Sequence, residues 1–212
     1  MTPHAALERG LEELELVLPA STCDRLIAYV MLLAKWNRSY NLTAIREPLA
    51  MVSQHLLDSL ALLPHLPLPP QAARVADVGT GAGLPGIPLA LARPQWHVAL
   101  IESNQKKAAF LRQAAIELGV ENLEVHEGRV EDWQPEVPFR LVISRAFAEL
   151  AAFVTACRHI VAPHGLFAAM KGREPQEEIK RLPPDVRLLS VLRMRTPFLD
   201  AERHLVLCEL QA

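Results

Sequence analysis

Hydrophobic residues in the first part of the chain recur at helical spacing. In HAALERGLEELEL (residues 4–16) and STCDRLIAYVMLLAKWN (residues 21–37), leucines and valines return every three or four positions. EPLAMVSQHLLDSLALL (residues 47–63) continues the pattern. We therefore predict helices over these stretches. Ser21 and Asp24 are expected to cap the second helix as a variant of the capping box, and the third is expected to break near Ser53.

The pattern changes after the proline-rich stretch PHLPLPPQ (residues 64–71). Short apolar runs then alternate with helical segments, and two final runs follow one another across a short loop. The runs are ARVADV, HVALIE, LEVHEG, FRLVIS, GLFAAMK, VRLLSVLRMR and ERHLVLCEL. This order predicts a parallel, doubly wound α/β sheet whose last strand is antiparallel. We take residues 1–70 as a helical cap and residues 71–212 as one compact main domain.

Composition narrows the class of protein. Half of the 212 residues are hydrophobic and the formal net charge is -2, so no strong basic excess marks a nucleic-acid binder. Neither a membrane-spanning run nor a secretory signal is recognisable. Three widely spaced cysteines favour reduced thiols over disulfides or a zinc site. We expect a cytoplasmic monomer with no membrane association and no metal.

A glycine-rich stretch follows the first predicted strand, and it raises the question of a nucleotide site. Gly81, Gly83 and Gly86 spell G-x-G-x-x-G, as in dinucleotide sites. If the strand ends at residue 78, however, Gly79 closes it, and Leu84 stands where that fingerprint needs its last glycine. The alternative is that these glycines only form a tight turn between strand and helix.

Two acidic residues bear on which ligand this stretch would bind. Asp77 lies two residues before Gly79 and would repel a pyrophosphate, whereas it would suit a ligand with a sulfonium and an ammonium group. Glu102 ends the second strand, where an acid can bind ribose hydroxyls. Because NAD and S-adenosylmethionine both contain ribose, Glu102 does not separate them.

The stretch DVGTGAGLPG resembles the first motif of class I S-adenosylmethionine-dependent methyltransferases. The chain is more closely similar to the glucose-inhibited division protein B family, the bacterial 16S ribosomal RNA guanine-N7 methyltransferases. The similar stretches, in the family's order, are WNRSYNLTAI, HLLDSL, DVGTGAGLPGIPLA, KKAAFLRQ, GRVED, VISRAFA, MKG and ERHLVL. Ala82 departs from members that carry proline there.

The resemblance implies a Rossmann-like methyltransferase sheet with an N-terminal helical cap, S-adenosylmethionine as cofactor, and methylation of N7 of guanine 527 in 16S ribosomal RNA. It also implies roles for individual residues. Gly79 and Leu84 would line the cofactor pocket, and Val130 and Glu131 would lie along the adenine. Arg145 would close the site, contacting the cofactor and aligning the acceptor as the catalytic residue. The alternative for Arg145 is a salt bridge to Glu149. With Asp77, Gly81 and Glu102, these residues form the predicted cofactor site.

Sequence motifs that the chain lacks also restrict which acceptor atom could receive the methyl group. The chain lacks the Asn/Asp-Pro-Pro-aromatic turn of amino-group methylases after the fourth strand, and no cysteine follows a proline as in cytosine-C5 methylases. Guanine N7 carries no proton, so its methylation needs alignment rather than a general base. Competing interpretations are a small-molecule methyltransferase, an NAD-dependent oxidoreductase and a non-enzymatic nucleotide-binding regulator.

Predicted RNA contacts lie in two places. Arg38, Tyr40 and Asn41 follow the second helix, where Arg38 would meet a phosphate and Tyr40 would stack on a base. Lys171 and Arg173 follow the fifth strand, where a phosphate contact and simple solvation remain alternatives. Packing of Tyr40 against the main domain also stays open, as does whether the substrate is naked 16S RNA or the 30S subunit.

Two further side chains of the cap have structural interpretations. We expect Trp36 to pack the cap onto the main domain. His55 and Asp58 lie one helical turn apart, so a hydrogen bond between them would brace the cap, and approach to the target base is the alternative.

Overall fold

A computed structural model describes residues 1–145, 147 and 149–211 of the chain; Ala146 and Ala148 of the SRAFA stretch lie outside the described residues. The chain begins with helices, as the hydrophobic pattern predicts. Helix α1 spans Pro3–Glu13 and α2 spans Ala20–Tyr40. The predicted capping box at the start of α2 is wrong, because Pro19 occupies the N-cap position and no side chain caps the helix.

The third helical segment is continuous but irregular. Helix α3 (Pro48–Met51) leads into a π-helical stretch (Val52–Leu57) and then α4 (Asp58–Leu60). The predicted break near Ser53 is therefore a change of helical pitch. Such π-helical insertions are rare and often occur at functional sites.

A seven-stranded sheet follows a short 3₁₀ turn at Leu63–His65. The strands are β1 (Arg74–Val78), β2 (His97–Glu102), β3 (Leu123–Glu127), β4 (Phe139–Ser144), β5 (Val161–Lys171), β6 (Val186–Met194) and β7 (Arg203–Leu210). Their order is β3-β2-β1-β4-β5-β7-β6, with β1 to β5 parallel and β7 antiparallel to both neighbours. Both the doubly wound sheet and the antiparallel last strand are confirmed.

Helices α5 (Gly86–Ala92), α6 (Gln105–Leu118), α7 (Leu150–Cys157) and α8 (Gln176–Ile179) connect the strands, with 3₁₀ turns at Val130–Asp132 and Arg158–Ile160. The chain order reverses between β1 and β4. In open α/β sheets, ligands bind beyond the carboxyl ends of the strands at such a reversal. The sheet topology therefore points to the ends of β1, β2 and β4 as the place of a ligand site.

Apolar side chains cover both faces of the sheet. On one face, a single cluster joins α1, α2 and the α3–α4 segment to α5, α6 and the sheet. On the other face, α7 packs over Phe139 and Phe167. Trp36 contacts Phe110 of α6 with their ring centroids 5.6 Å apart, which confirms its packing role. The division at residue 70 stays a prediction.

Polar contacts also join the N-terminal helices to the rest of the protein. The buried Tyr29 hydroxyl donates to the Ala82 carbonyl over 2.7 Å, and Arg25 donates to the carbonyls of Leu118 and Gly119. Cys23, Cys157 and Cys208 are buried free thiols. In the described part of the chain, no helix has the length and apolar character needed to cross a membrane.

Candidate active site

The glycine-rich stretch forms the loop between the end of β1 and the start of α5. Gly79, Gly81 and Gly83 have φ angles of 69°, 62° and 90°, in the left-handed region that side chains disfavour. The backbone N–H of Gly79 donates to the Ile101 carbonyl over 3.0 Å, which fixes the loop to the end of β2. The glycines therefore set the path of the backbone here.

Asp77 lies beneath this loop and is fully buried. Its Oδ2 accepts hydrogen bonds from the Thr80 hydroxyl (2.6 Å) and from the backbone N–H of Gly86 (2.8 Å), the first residue of α5. Burial raises the pKa of the Asp77 carboxyl to about 6. In dinucleotide sites the helix N-terminus faces a pyrophosphate. Here a carboxylate of the chain itself already occupies the first N–H group of that helix.

Gly86 is needed for this arrangement because of close packing. A Cβ atom at this position would lie 2.2 Å from Cδ2 of Leu100 and 2.8 Å from Oδ2 of Asp77. The last glycine of the literal G-x-G-x-x-G match therefore lets the helix approach β2 and Asp77. No bound phosphate is needed to explain a glycine at this position.

Glu102, at the end of β2, is buried and holds the loop from the other side. Its Oε2 accepts the backbone N–H of Gly81 over 2.9 Å, and its Oε1 accepts that of Asn104 over 2.8 Å. A carboxylate has about four acceptor positions. Glu102 therefore retains lone pairs for the ribose hydroxyls that the sequence predicts it to bind.

A cavity of about 180 Å³ opens beside Gly79, and we call it the cofactor cavity. Its lining residues come from the ends of β1 and β2 and from the segments that follow β3 and β4: Val78, Gly79, Ile101, Ser103, Gly128, Arg129, Val130, Glu131 and Phe147. Three predicted cofactor residues, Gly79, Val130 and Glu131, are thus brought together.

The other predicted cofactor residues are not on the described lining of this cavity. Leu84 is buried, as are Asp77 and Glu102. Gly81 is part of the same loop, and a Cβ atom there would meet nothing within 4 Å. The Glu131 carboxylate accepts a hydrogen bond from Arg129 over 2.8 Å, which lowers the pKa of Glu131. Direct contact of these residues with a cofactor remains a prediction.

A second cavity, of about 340 Å³, lies between the N-terminal helices and the ends of β4, β5 and β7. We call it the cap–sheet cleft. Its lining consists of Thr43, Ala44, Ile45, Gln54, His55, Asp58, Arg145, Met170, Lys171, Gly172 and Arg203. Arg145, one residue after β4, lines this cleft, and Phe147, two residues later, lines the cofactor cavity. The two cavities therefore flank the end of β4.

Asp58 is the centre of the polar network in this cleft, and its side chain is only 2% exposed. Its Oδ1 accepts from Nε of Arg203 at 2.8 Å and from the Thr196 hydroxyl at 3.4 Å, and Nη1 of Arg145 lies 3.4 Å from its Oδ2. One carboxylate of the cap thus holds two arginines, one just after β4 and one at the start of β7. Sequence reasoning missed Arg203 and Thr196, because nothing local indicates that they meet Asp58.

Two pairings suggested by the sequence are tested by these contacts. The salt bridge between Arg145 and Glu149 is wrong, since Glu149 lies 3.7 Å from Arg181 and Arg145 pairs with Asp58. The hydrogen bond between His55 and Asp58 is also wrong. Nε2 of His55 lies 2.8 Å from the Thr43 hydroxyl, and its Nδ1 lies 2.9 Å from the Gln54 carbonyl. Burial and the nearby Arg145 lower the pKa of His55 to about 4, so the imidazole is neutral at pH 7.

The predicted RNA contacts do not all share one surface. Lys171 lines the cap–sheet cleft, where its Nζ donates to Glu178 over 2.7 Å and to the Phe147 carbonyl over 3.1 Å. Arg173 is exposed two residues beyond the end of β5. Arg38 lies elsewhere, in a groove beside α2. Their roles in RNA binding stay predictions.

Two more of these predicted contacts lie at the end of α2. Tyr40 is 43% exposed and stacks on Trp36, with 5.1 Å between ring centroids. Asn41 ends α2 in the left-handed conformation, with a φ of 50°. Tyr40 therefore packs against Trp36 while part of its side chain stays accessible to solvent.

Comparison with known protein families identifies the family of this chain. A family model described as rRNA small subunit methyltransferase G matches residues 22–206. The chain belongs to this family. It is 52% identical to Ribosomal RNA small subunit methyltransferase G of Chromobacterium violaceum over 212 residues, covering 100% of both chains. It is also 52% identical to the protein of that name from Methylobacillus flagellatus over 200 residues, covering 94% of this chain and 95% of the relative.

Solved structures with the same fold are distant in sequence. TrmN from Thermus thermophilus aligns with a TM-score of 0.59 at 18% identity, covering 75% of this chain and 53% of its own. A SAM-dependent methyltransferase from Aquifex aeolicus aligns with a TM-score of 0.56 at 19% identity, covering 73% and 90%. The predicted Rossmann-like methyltransferase fold is confirmed. The family resemblance seen in the sequence is confirmed as well.

Proposed function

We propose that this member of the rRNA small subunit methyltransferase G family transfers a methyl group from S-adenosylmethionine to N7 of a guanine in 16S ribosomal RNA, at position 527. Methylation of small-subunit ribosomal RNA follows from the family. The atom and position come from the sequence resemblance. We further propose that the enzyme works in the cytoplasm as a monomer, on 16S RNA or the 30S subunit.

The residues around the cofactor cavity fit S-adenosylmethionine better than a dinucleotide. The N-terminus of α5 already faces the carboxylate of Asp77, whose buried Oδ1 has no hydrogen-bond partner among the described residues. This negative environment suits a cationic ligand and disfavours a pyrophosphate. Glu102 would hold the ribose, and Gly79 would leave room for the methionine portion. When bound, S-adenosylmethionine supplies a methyl group activated by its sulfonium.

One observation supports an acceptor without a proton more than any other. Within the described lining of the cap–sheet cleft, no side chain is available as a general base. Asp58 is bound to two arginines, both nitrogens of His55 have oxygen partners, and Lys171 is paired with Glu178. Guanine N7 attacks with a lone pair and requires no proton removal, so alignment is the main requirement.

The contacts of Arg145 support a role for it in that alignment. It lines the cap–sheet cleft at the end of β4, and its positive charge acts on Asp77, beneath the glycine loop, as well as on His55. Its guanidinium is held by Asp58 and the Gln54 carbonyl, so it is restrained before a substrate arrives. We propose that it orients the guanine towards the methyl donor.

The test is single-turnover transfer of labelled methyl to naked 16S RNA and to 30S subunits lacking the modification, followed by mass mapping of the product. We expect label on N7 of one guanine. Label on another atom, or NADH binding without S-adenosylmethionine binding, would overturn the proposal. Arg145→Ala should lower the transfer rate far more than the RNA affinity, with Arg187→Gln as a control at the opposite edge of the sheet.

A further inference from the structure

A groove of about 570 Å³ lies outside the two cavities described above, between the last turns of α2 and the start of α3. Three cationic side chains line it, Lys35 and Arg38 from α2 and Arg46 from the loop before α3. All three residues are exposed, and Glu47 is the one acidic residue on the lining. We call this the basic groove.

These three cationic side chains differ in their ion pairing from most others in the protein. Arg112, Arg158 and Arg187 each pair with a carboxylate. Lys35, Arg38 and Arg46, by contrast, form no ion pair and no hydrogen bond with another side chain or backbone group in the described residues. Three like charges brought to one groove repel each other. An anion bound there would relieve this repulsion.

The basic groove shares a wall with the cap–sheet cleft. The loop after α2 presents Thr43, Ala44 and Ile45 to the cleft, and the next residues, Arg46 and Glu47, to the groove.

Asn37 braces this loop and is 4% exposed. Its Oδ1 accepts from the Thr43 backbone N–H over 2.9 Å, and its Nδ2 donates to the Ile45 carbonyl over 3.2 Å. A single braced loop therefore separates the two concave surfaces.

We propose that the basic groove binds the phosphates of the RNA strand that adjoins the target guanine, with Lys35 and Arg46 as phosphate contacts. This inference rests on the proposed function, since a guanine in the cap–sheet cleft leaves its neighbouring nucleotides at the cleft rim. Exposed Tyr40, at the end of the same helix as Lys35, adds a ring on which an unpaired base can stack. RNA fits this combination of spread cations and an aromatic ring better than an isolated small anion does.

The test measures RNA affinity against salt concentration for the double variant Lys35→Gln/Arg46→Gln. Each lost phosphate contact reduces the slope of log affinity against log salt by about 0.7 to 0.9. We expect the slope to flatten by about 1.4 to 1.8 for two contacts. The S-adenosylmethionine affinity should stay at the wild-type level.

A matched control removes the same charge elsewhere. Arg140 and Arg187 are the second residues of β4 and β6, so both lie at the amino-terminal edge of parallel strands, away from the ligand edge. Arg140→Gln/Arg187→Gln should leave the slope unchanged. If the two double variants have equal slopes, the groove does not bind the RNA backbone. Mapping of the wild-type product in the same experiment tests the proposed function separately, because the slopes are measured whether or not N7 is methylated.

Discussion

The cofactor cavity and the cap–sheet cleft lie at the same edge of one sheet but are built differently. Around the cofactor cavity, carboxylates bind backbone N–H groups: Asp77 holds Gly86, and Glu102 holds Gly81 and Asn104. Around the cleft, side chains bind side chains from distant parts of the chain. Asp58 meets Arg145 and Arg203, which follow it by 87 and 145 positions.

Contacts around the cofactor cavity therefore join residues that are close in the sequence, whereas contacts around the cleft join residues that are far apart in it. The loop between β1 and α5 is fixed largely by residues 77–104, and its geometry depends on glycine conformations and short-range hydrogen bonds. The cleft exists only when the N-terminal helices are docked on the finished sheet. Substitutions around the cofactor cavity should therefore act on ligand binding and loop strain, whereas substitutions in the cleft should act on docking of the cap as well.

The largest effect is expected for Asp58→Ala. This change leaves Arg145 and Arg203 close together without their shared carboxylate. Breaking a buried ion pair costs about 3 to 5 kcal/mol, and the lower end applies here because both arginines are partly exposed. Chemical denaturation should show a loss of about 3 kcal/mol, against almost none for the exposed Asp24→Ala. Equal midpoints for the two variants would show that the network does not hold the cap.

The pH dependence of stability should have opposite sign in the two regions. On the cofactor side, burial raises the folded-state pKa of Asp77 from 3.8 to about 6. Its contribution to the free energy of unfolding is therefore full below about pH 4 and is lost as the pH rises through 6. Relative to Asp77→Asn, the wild type should gain up to about 3 kcal/mol between pH 7 and pH 4. A pH-independent difference would show that the carboxyl is not shifted.

On the cleft side, burial and Arg145 lower the folded-state pKa of His55 from 6.5 to about 4. The folded state then binds fewer protons than the unfolded state between these values, so stability is lost as the pH falls below 6.5. Relative to His55→Asn, the wild type should lose up to about 3 kcal/mol from pH 7 to pH 4. Denaturation of the wild type and the variant at several pH values measures this. A gain at low pH would contradict it.

The sequence predicts locally determined elements well and contacts between distant residues poorly. β2 and β4 are observed over HVALIE and FRLVIS, as predicted, and Gly119 caps the carboxyl end of α6 in the left-handed conformation that glycine favours. These elements are determined by local pattern and turn chemistry. The partners of Asp58 and His55 were predicted wrongly, because helical spacing identifies residues on one face but not the strand that packs against it. The predicted capping box of α2 was also wrong, because Pro19 occupies the N-cap position and no side chain caps the helix.

A smaller effect is expected for Glu102→Ala, which sharpens the cofactor side of the comparison. Loss of charged hydrogen bonds to the ribose should weaken S-adenosylmethionine binding by about 2 to 3 kcal/mol. Titration calorimetry measures this directly. Glu127→Ala is the control, since Glu127 ends the neighbouring β3 and pairs instead with Arg112. An unchanged dissociation constant for Glu102→Ala would move the ribose contact to another residue.

The smallest effect comes from comparing two glycines of the same loop. In Gly86→Ala, the added Cβ would meet Leu100 and Asp77, and such overpacking costs about 1 to 3 kcal/mol. In Gly81→Ala, the added Cβ meets nothing within 4 Å, so only the left-handed backbone, with its φ of 62°, is strained, at about 1 kcal/mol.

Denaturation of both variants should therefore place Gly86→Ala about 1 kcal/mol below Gly81→Ala in stability. Affinity for S-adenosylmethionine should follow the opposite order, because the open space beside Gly81 is where a ligand would lie, while Gly86 faces Asp77 beneath the loop. If Gly81→Ala binds the cofactor as tightly as the wild type, the ligand does not approach that part of the loop, and Gly81 serves only the turn.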